Sequence, residues 1–543
     1  MNATFREPAA MRALVVKRGR TKHERTSAPA RIGSREGAIG VCALLAIVLC
    51  GALFVLLSAN RPSLFSATAH TGFYPHWMAG PLGGLLSGLT RSPTKLKYLF
   101  TGALVVMYAS YLVGLRYVPR LRSRWAIAAI VMVHAIFFLA PPLALTDVFN
   151  YVNYGRMEVV HHLNPYTTIP ILEPHNDPSY YLSNWHQLLS PYGPLFTLMT
   201  FALVPLGVAT SFWAIKAVLA AVSLGTIFLV WRCARLLGRD PVAAIVLVGL
   251  NPIVLVWGLG GDHNDFLMVF CIVLGFYLLL RSGAWVAGDR SKIGQQADLG
   301  RQPAGNERAE VDSSAAQPAE RVGWRETLRG WLWPLEPLEV AAGMAFVTAA
   351  AIKASGGILI PVVLAALLRA PRRVVQVILG MVAAGAAVAV ASLIAFGLHV
   401  PDLSTQSKLV TSLSAPNLLG LALGSGGETE TLRLLLSGVL ILVVLGCCVL
   451  AWRRKDAITS SGWVTIALLL TLGWVLPWYV LWVLPLAALS DSRWLRTTAL
   501  ALGVYLIVAW APASGLLWNK IGFHPEKTSL GRLHQRYVKE LLN

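Results

Sequence analysis

Apolar runs of membrane length alternate with short basic or aromatic segments along nearly the whole chain. The first 37 residues break that rule: they are polar, carry nine Lys/Arg and present no periodic apolar face. An apolar stretch from about Ala38 to Ala59 follows, too long for the h-region of a cleaved signal and suited to a retained signal anchor. Further runs lie near 98–115, 125–145, 210–231, 241–258, 266–280, 336–352, 356–368, 374–398, 432–452, 461–476, 478–490 and 497–517. A straight helix across the hydrocarbon core needs about 20 residues. The 13-residue runs 356–368 and 478–490 are therefore expected as partial or tilted helices. The pattern predicts an all-α polytopic membrane protein, a helical bundle of about 13 transmembrane helices.

One more apolar run, 191–208, is interrupted by Pro191, Pro194 and Pro205. Read as a juxtamembrane helix on the outer surface, it leaves Arg232, Arg235 and Arg239 inside. The inner loops then hold 32 Lys/Arg against 12 in outer segments, which predicts a cytoplasmic N-terminus. Five of the 12 outer charges come from the tail after Trp518.

These boundaries divide the chain into a basic cytoplasmic segment (1–37), two accessory helices (38–124), a membrane module (125–281), a polar segment (282–335), a second membrane half (336–517) and a C-terminal tail (518–543). Segment 282–335 holds seven acidic and seven basic residues among Gly, Gln and Ala, as a flexible cytoplasmic linker does. The outer segments 146–209 and 399–431 differ in kind. The first holds a single Lys/Arg, Arg156, and is dense in Tyr, Trp, His, Asn and Pro, the make-up of a functional loop.

Composition supports the membrane reading: 56% of residues are hydrophobic and 13% charged, against roughly 25% charged in soluble domains. Disorder and a water-soluble globule are both excluded. The net charge of +20 is explained by basic cytoplasmic loops, so no nucleic acid is needed as partner. The six cysteines fall almost entirely inside apolar runs, with neither zinc nor disulfide spacing.

The third apolar run ends in Asp147, followed by Tyr151, Tyr154, Arg156, Asn164 and Tyr166. At helical spacing Asp147, Tyr151 and Tyr154 share a face. A carboxylate beside aromatic rings at a membrane surface suits a sugar platform with a general base; a helix terminus within an interfacial aromatic belt is the competing reading. The fifth run ends in the turn Gly260-Gly-Asp262-His263-Asn264-Asp265, suited to sugar hydroxyls, to capping two helices or to a divalent cation. Lys216 lies inside the fourth run, where a lysine is functional unless it snorkels. Lys353 sits at another outer turn. Two outer cations would hold the phosphate of an amphiphile whose tail stays in the bilayer. No phosphate-cradling Gly-rich motif or nucleotide fold is evident, which disfavours a cytoplasmic nucleotide-sugar donor.

The ordered set Thr146-Asp-Val-Phe-Asn-Tyr-Val-Asn-Tyr-Gly-Arg156, Asn164-Pro-Tyr166, Tyr192-Gly-Pro194, Asn251-Pro252, the turn 260–265, Lys353-Ala and Pro477-Trp478-Tyr479 resembles the polyprenol-phosphate-mannose-dependent α-1,6-mannosyltransferases of actinobacteria. The resemblance covers roughly residues 125–490 and implies the C-type multi-span glycosyltransferase fold, with 125–281 as its catalytic module. It implies Asp147 as general base and Lys216 as a ligand of the donor phosphate; from their own positions Lys353 and Arg156 are expected to help hold that phosphate. Tyr151, Tyr154, Asn164, Tyr166, Tyr192, His263, Asn264, Asp265, Trp478 and Tyr479 are expected to orient substrates. The expected partners are a polyprenyl-phosphate sugar, a glycan or lipoglycan acceptor and membrane lipid, in an inverting transfer on the extracytoplasmic face. No cofactor is required by this reading; a divalent cation stays open. A lipid or oligosaccharide flippase is the alternative, since two membrane halves around a linker also fit alternating access.

Overall fold

The computed structural model describes residues 34–60, 76–85, 92–143, 147–283 and 334–542. The basic N-terminal segment before Ser34, Thr146 and most of the linker 282–335 lie outside the described residues.

Among the described residues the secondary structure is helical throughout. Chain-order helices are α1 (Arg35–Asn60), α2 (Pro93–Tyr117), α3 (Ser123–Phe138), α4 (Asp147–His161), α5 (Pro194–Phe201), α6 (Gly207–Leu236), α7 (Pro241–Gly249) and α8 (Asp265–Arg281). The second half adds α9 (Pro337–Ile352), α10 (Ile360–Leu367), α11 (Pro371–Phe396), α12 (Leu403–Ser407), α13 (Ala415–Ala422), α14 (Glu430–Arg454) and α15 (Ala457–Thr471). It closes with α16 (Leu484–Leu489), α17 (Arg493–Trp510), α18 (Ser514–Lys520) and α19 (Ser529–Leu542).

Five helical stretches are long and apolar enough to cross a membrane, or six if the α17–α18 pair, bent by 73°, counts as one span. The thirteen apolar runs thus do not become thirteen equal spans, and the reason is local. Asn251-Pro252 ends α7: Pro252 has no N–H to give, and the Asn251 side chain caps a new turn by accepting from the N–H groups of Ile253 and Val254 at 3.0 and 3.3 Å. The remainder of that run winds as a π-helix, Val254–Leu259. The two 13-residue runs, expected as partial or tilted helices, each consist of a 3₁₀ turn leading into a short helix: Ala354–Leu359 into α10 and Pro477–Trp482 into α16. The 191–208 run folds as α5 and a 3₁₀ turn running directly into α6.

Helix starts follow their caps. Asp240 accepts from the N–H groups of Val242 and Ala243, and Thr429, Asp456 and Ser492 cap α14, α15 and α17 in the same way. Arg239 and Asp491, 2.8 Å apart, join the turn before α7 to the turn before α17. The opposite helix ends therefore meet together, and there the turn 258–265, Lys353, the start of α14 and α4 converge. Between helices, contact rests on small residues: a Cβ at Gly343 would strike the Val377 carbonyl oxygen, and one at Gly380 the Val340 carbonyl oxygen, so α9 and α11 pack backbone to backbone.

The C-terminal tail docks at the same end as that convergence. The Leu541 carbonyl accepts from the Gln187 N–H at 3.1 Å, and the Tyr537 hydroxyl donates to the Thr405 carbonyl at 3.1 Å. Leu541 packs in a small core of its own with Trp185, Leu188 and Leu409.

Candidate active site

Asp147 is the first residue of α4, where the partial positive charge of a helix N-terminus favours a carboxylate. One of its oxygens accepts from the Trp185 indole N–H at 3.3 Å; the other lies 3.5 Å from His263 Nδ1. The His263 ring is itself fixed by stacking on Trp478, centroids 3.5 Å apart. Tyr151, one turn along α4, accepts from the backbone N–H of Asn264 at 3.3 Å, tying α4 to the 258–265 turn. Tyr154 donates to the Leu188 carbonyl at 2.8 Å, and Tyr192 packs edge-on against Tyr151 at 4.8 Å. The shared face read from helical spacing is thus present, and it looks into a cavity of about 350 Å³.

Asp147, Tyr151, Tyr154, Tyr192, Asn264, Asp265, Lys353, Trp478 and Tyr479 all line that cavity. The Lys353 ammonium binds both Asp265 oxygens at 2.9 and 3.0 Å, and the Trp482 indole N–H donates to the same carboxylate at 2.5 Å. Lys353 also lies 4.9 Å from the centre of the Tyr479 ring, a cation–π distance. Its side chain stays 18% exposed. An ammonium has three donors, so this cation keeps capacity toward the cavity. Asn264 presents a different feature: its amide oxygen and nitrogen are buried with no hydrogen-bond partner, as are both ring nitrogens of His263. Such groups cost about 1–3 kcal/mol each unless a ligand satisfies them.

Five expected site residues stand outside the cavity lining; one of them, His263, is 1% exposed and stacked on Trp478, which does line it. Lys216 does not line the cavity: its ammonium is bound to Asp262 at 3.0 and 3.3 Å with both side chains 1% exposed. Burial in apolar surroundings forces a lysine to find a carboxylate, and Asp262, held at φ 59 in the left-handed region, supplies it. Arg156 grips Asp177 through three bonds of 2.8–3.0 Å, and His161 and Ser179 join the same carboxylate. Burial would raise the Asp177 carboxyl, but these partners outweigh it and hold it well below the usual carboxylate range. Nearby Glu173 goes the other way: burial, against a partial offset from the Asn153 hydrogen bond, pushes it up to about 8. Asn164 donates to the Phe396 carbonyl at 2.8 Å, while Tyr166 donates to the Tyr192 carbonyl at 2.9 Å and to Thr197 at 3.1 Å. Both brace the loop around the cavity and stand outside its lining.

Sequence reasoning missed three contributors. Arg433, in the first turn of α14, lines the cavity; its Nε is bonded to buried Glu428 at 2.8 Å. The sequence shows it only as a charge at the edge of an apolar run. Trp185 and Trp482, which hold the two carboxylates, carry no local signal that separates them from interfacial tryptophans. For a divalent cation the donor set does not fit: no group of three His, Cys, Asp or Glu side chains gathers among the described residues, and Asp262 and Asp265 each face a lysine.

Residues 46–369 match the family model for the N-terminal domain of alpha-(1->6)-mannopyranosyltransferases, and residues 411–524 match the model for the MptB C-terminal domain. The chain is 28% identical over 400 residues to an alpha-(1->6)-mannopyranosyltransferase of Mycobacterium tuberculosis, covering 67% of this chain and 65% of that one. It is 27% identical over 437 residues to alpha-(1->6)-mannopyranosyltransferase A of the same organism, 76% of this chain and 75% of the relative. The chain thus spans just under two thirds of the first relative's length. No solved structure matches it.

Proposed function

Because the chain belongs to the alpha-(1->6)-mannopyranosyltransferase family, we propose that it is a membrane mannosyltransferase moving mannose from a polyprenyl-phosphate donor to a glycan hydroxyl, with Asp147 as general base. One observation carries this reading: Asp147 stands on the wall of the same cavity as the cations Lys353 and Arg433. A base and phosphate ligands around one space are what displacement of a phosphate by an alcohol requires.

In this mechanism the acceptor hydroxyl gives its proton to the Asp147 carboxylate as its oxygen attacks the anomeric carbon. The bond from that carbon to the phosphate oxygen breaks, and the leaving charge is neutralised by Lys353 and Arg433. Attack at the anomeric carbon on the face away from the leaving phosphate inverts the configuration. Asn264, which lines the cavity, supplies its amide atoms to substrate hydroxyls, which would satisfy groups otherwise orphaned, while His263 positions Asp147 from behind. Lys216 and Arg156 act at one remove, fixing the 258–265 turn and the loop behind α4. Leu403, Leu440 and Leu472 line the same cavity beside Arg433 and suit the first isoprene units of the donor. The cavity lies at the helix ends away from the Arg239–Asp491 turn, which the distribution of basic loops assigns to the cytoplasm; transfer is therefore extracytoplasmic.

Asp147→Asn keeps shape while removing basicity. With purified protein, a polyprenyl-phosphate mannose and an α-(1->6)-mannoside acceptor, it is expected to lower turnover by about 10²–10⁴-fold with donor binding retained. Near-normal turnover would overturn the assignment, and a carrier would yield no glycosidic product with either form. A cysteine at exposed Asn176 should react with an impermeant reagent from outside intact cells; labelling only after lysis would reverse the face.

A further inference from the structure

The bend between α17 and α18 opens a second cavity that the transfer chemistry does not use. Pro512, which cannot donate to a continuing helix, marks the break, and the two helices diverge by 73°. The space between them, the 410–413 strip and α19 measures about 690 Å³, within the roughly 300–1,000 Å³ of ligand pockets. Its walls carry four large aromatic side chains, Trp474, Trp510, Trp518 and Phe523. Asn519 and Gln535 stand among them as neutral hydrogen-bonding groups. Trp518 and Phe523 meet edge to face at 5.7 Å, and the Trp518 indole N–H is buried without a partner.

Trp474 lines both this cavity and the one that holds Asp147. The partition beside it is pinned: the Thr411 N–H donates to the Gly473 carbonyl at 2.9 Å, and the Tyr505 hydroxyl donates to the Leu413 carbonyl. On the far side of Trp474 the ring of Trp185, which holds Asp147, lies 6.1 Å away. A ligand extending from Asp147 past Trp474 would enter the second cavity.

We propose that this second cavity is a subsite for the acceptor's neutral oligosaccharide chain, holding the mannose units beyond the one that receives the transferred sugar. The proposal rests on the mannosyl transfer argued above. Aromatic faces take the apolar C–H face of a hexose, and amide side chains take its equatorial hydroxyls. The charged groups at the rim are of both signs: Glu526 lies 3.2 Å from His524, and Lys539 is the cation. That balance suits a neutral glycan better than a phosphate.

The test is equilibrium binding of α-(1->6)-linked mannotetraose to the full-length purified protein in the absence of donor, which does not depend on turnover. The wild type should bind, and Trp510→Ala or Trp518→Ala should weaken binding at least tenfold. Trp518→Phe, which keeps a ring, should recover part of it, and Asn519→Ala on an exposed position guards against misfolding by giving a smaller loss in the same direction. In turnover assays, the advantage of long over short acceptors should shrink toward one in the Trp variants. No binding by the wild type, or binding indifferent to Trp510, Trp518 and Asn519, would overturn the subsite. So would displacement of the mannoside by a polyprenyl phosphate through these residues, which would make the cavity a lipid site. Mannoside binding lost in the Trp variants together with no transfer by the wild type would keep the subsite and sink the transferase reading.

Discussion

Two lysine–aspartate pairs flank the same turn, and they make opposite use of it. Lys216 meets Asp262 with both side chains 1% exposed, and neither lines the cavity that holds Asp147. Lys353 meets Asp265, three residues further, with its carboxylate equally buried but its own side chain 18% exposed on the cavity wall. Distances are nearly the same, 3.0 and 2.9 Å. The difference lies in what each ammonium has left to offer. Sealed on all sides, Lys216 compensates a buried charge and fixes the turn in its left-handed conformation at Asp262. Lys353, cradled by Tyr479 and Trp482, keeps a face toward substrate. A cation in a membrane segment is thus no sign of ligand binding until its surroundings are known.

The comparison breaks most sharply if the sealed pair is cut. Lys216→Met leaves Asp262 buried alone and is expected to destabilise the fold by about 3–5 kcal/mol. The double variant Lys216→Met/Asp262→Asn should recover most of it, read as thermal unfolding in detergent. Equal stability of wild type and Lys216→Met would show that the pair is not what holds the turn.

Next in size is the open pair. Lys353→Met leaves Asp265 with the Trp482 indole donor beside the open cavity, so it should cost less stability than Lys216→Met yet lower kcat by about 10²–10³-fold, the loss seen when one stabilising donor to a developing charge is removed. A fall in stability matching that of Lys216→Met, with kcat unchanged, would erase the distinction between the two lysines.

Arg433 sharpens the contrast further, being 26% exposed and bonded to Glu428 through Nε alone. Arg433→Gln is expected to weaken donor affinity about tenfold, in the range of one charge-assisted hydrogen bond. Added salt should mimic part of that loss, whereas it should leave the sealed Lys216 pair untouched.

The smallest expected effect is on pH. Glu173 sits on the loop behind α4 with its folded-state value raised to about 8 from an ordinary 4.5. A raised carboxyl is protonated in the folded loop, so its stabilising share is full below about pH 4.5 and is lost as pH rises through about 8. Amide hydrogen exchange of residues 162–193 should therefore show less protection at high pH once the intrinsic rate is corrected, and Glu173→Gln should remove that trend. Asp177, lowered by Arg156, Ser179 and His161, acts in the opposite sense and weakens the loop only in strong acid.

Much of the site was legible because the residues that build it cluster at the ends of apolar runs. Asp147, Tyr151 and Tyr154 share a face by helical spacing alone, and the polar turn 260–265 stands out between two apolar stretches. Arg433 and Trp482 escaped because each lies within or beside an apolar run, where a lone polar group has several readings. Lys216 misled for a related reason: its position inside a span announced that it needed a partner, and nothing local said that the partner was Asp262, 46 residues away.

The sequence by itself determined that this chain is a helical membrane protein, which residues cap the starts of α7, α14, α15 and α17, and where proline and asparagine interrupt its spans. Those outcomes follow from hydropathy, capping and the missing proline N–H, all of which act within a few residues. Tertiary structure alone decided which cation faces a cavity, since burial and ion pairing depend on groups brought together across long stretches of chain, 88 residues between Asp265 and Lys353. It also decided that the C-terminal helix docks at the cavity's end, because its apolar residues acquire a partner only where Trp185, Leu188 and Leu409 are assembled from separate loops.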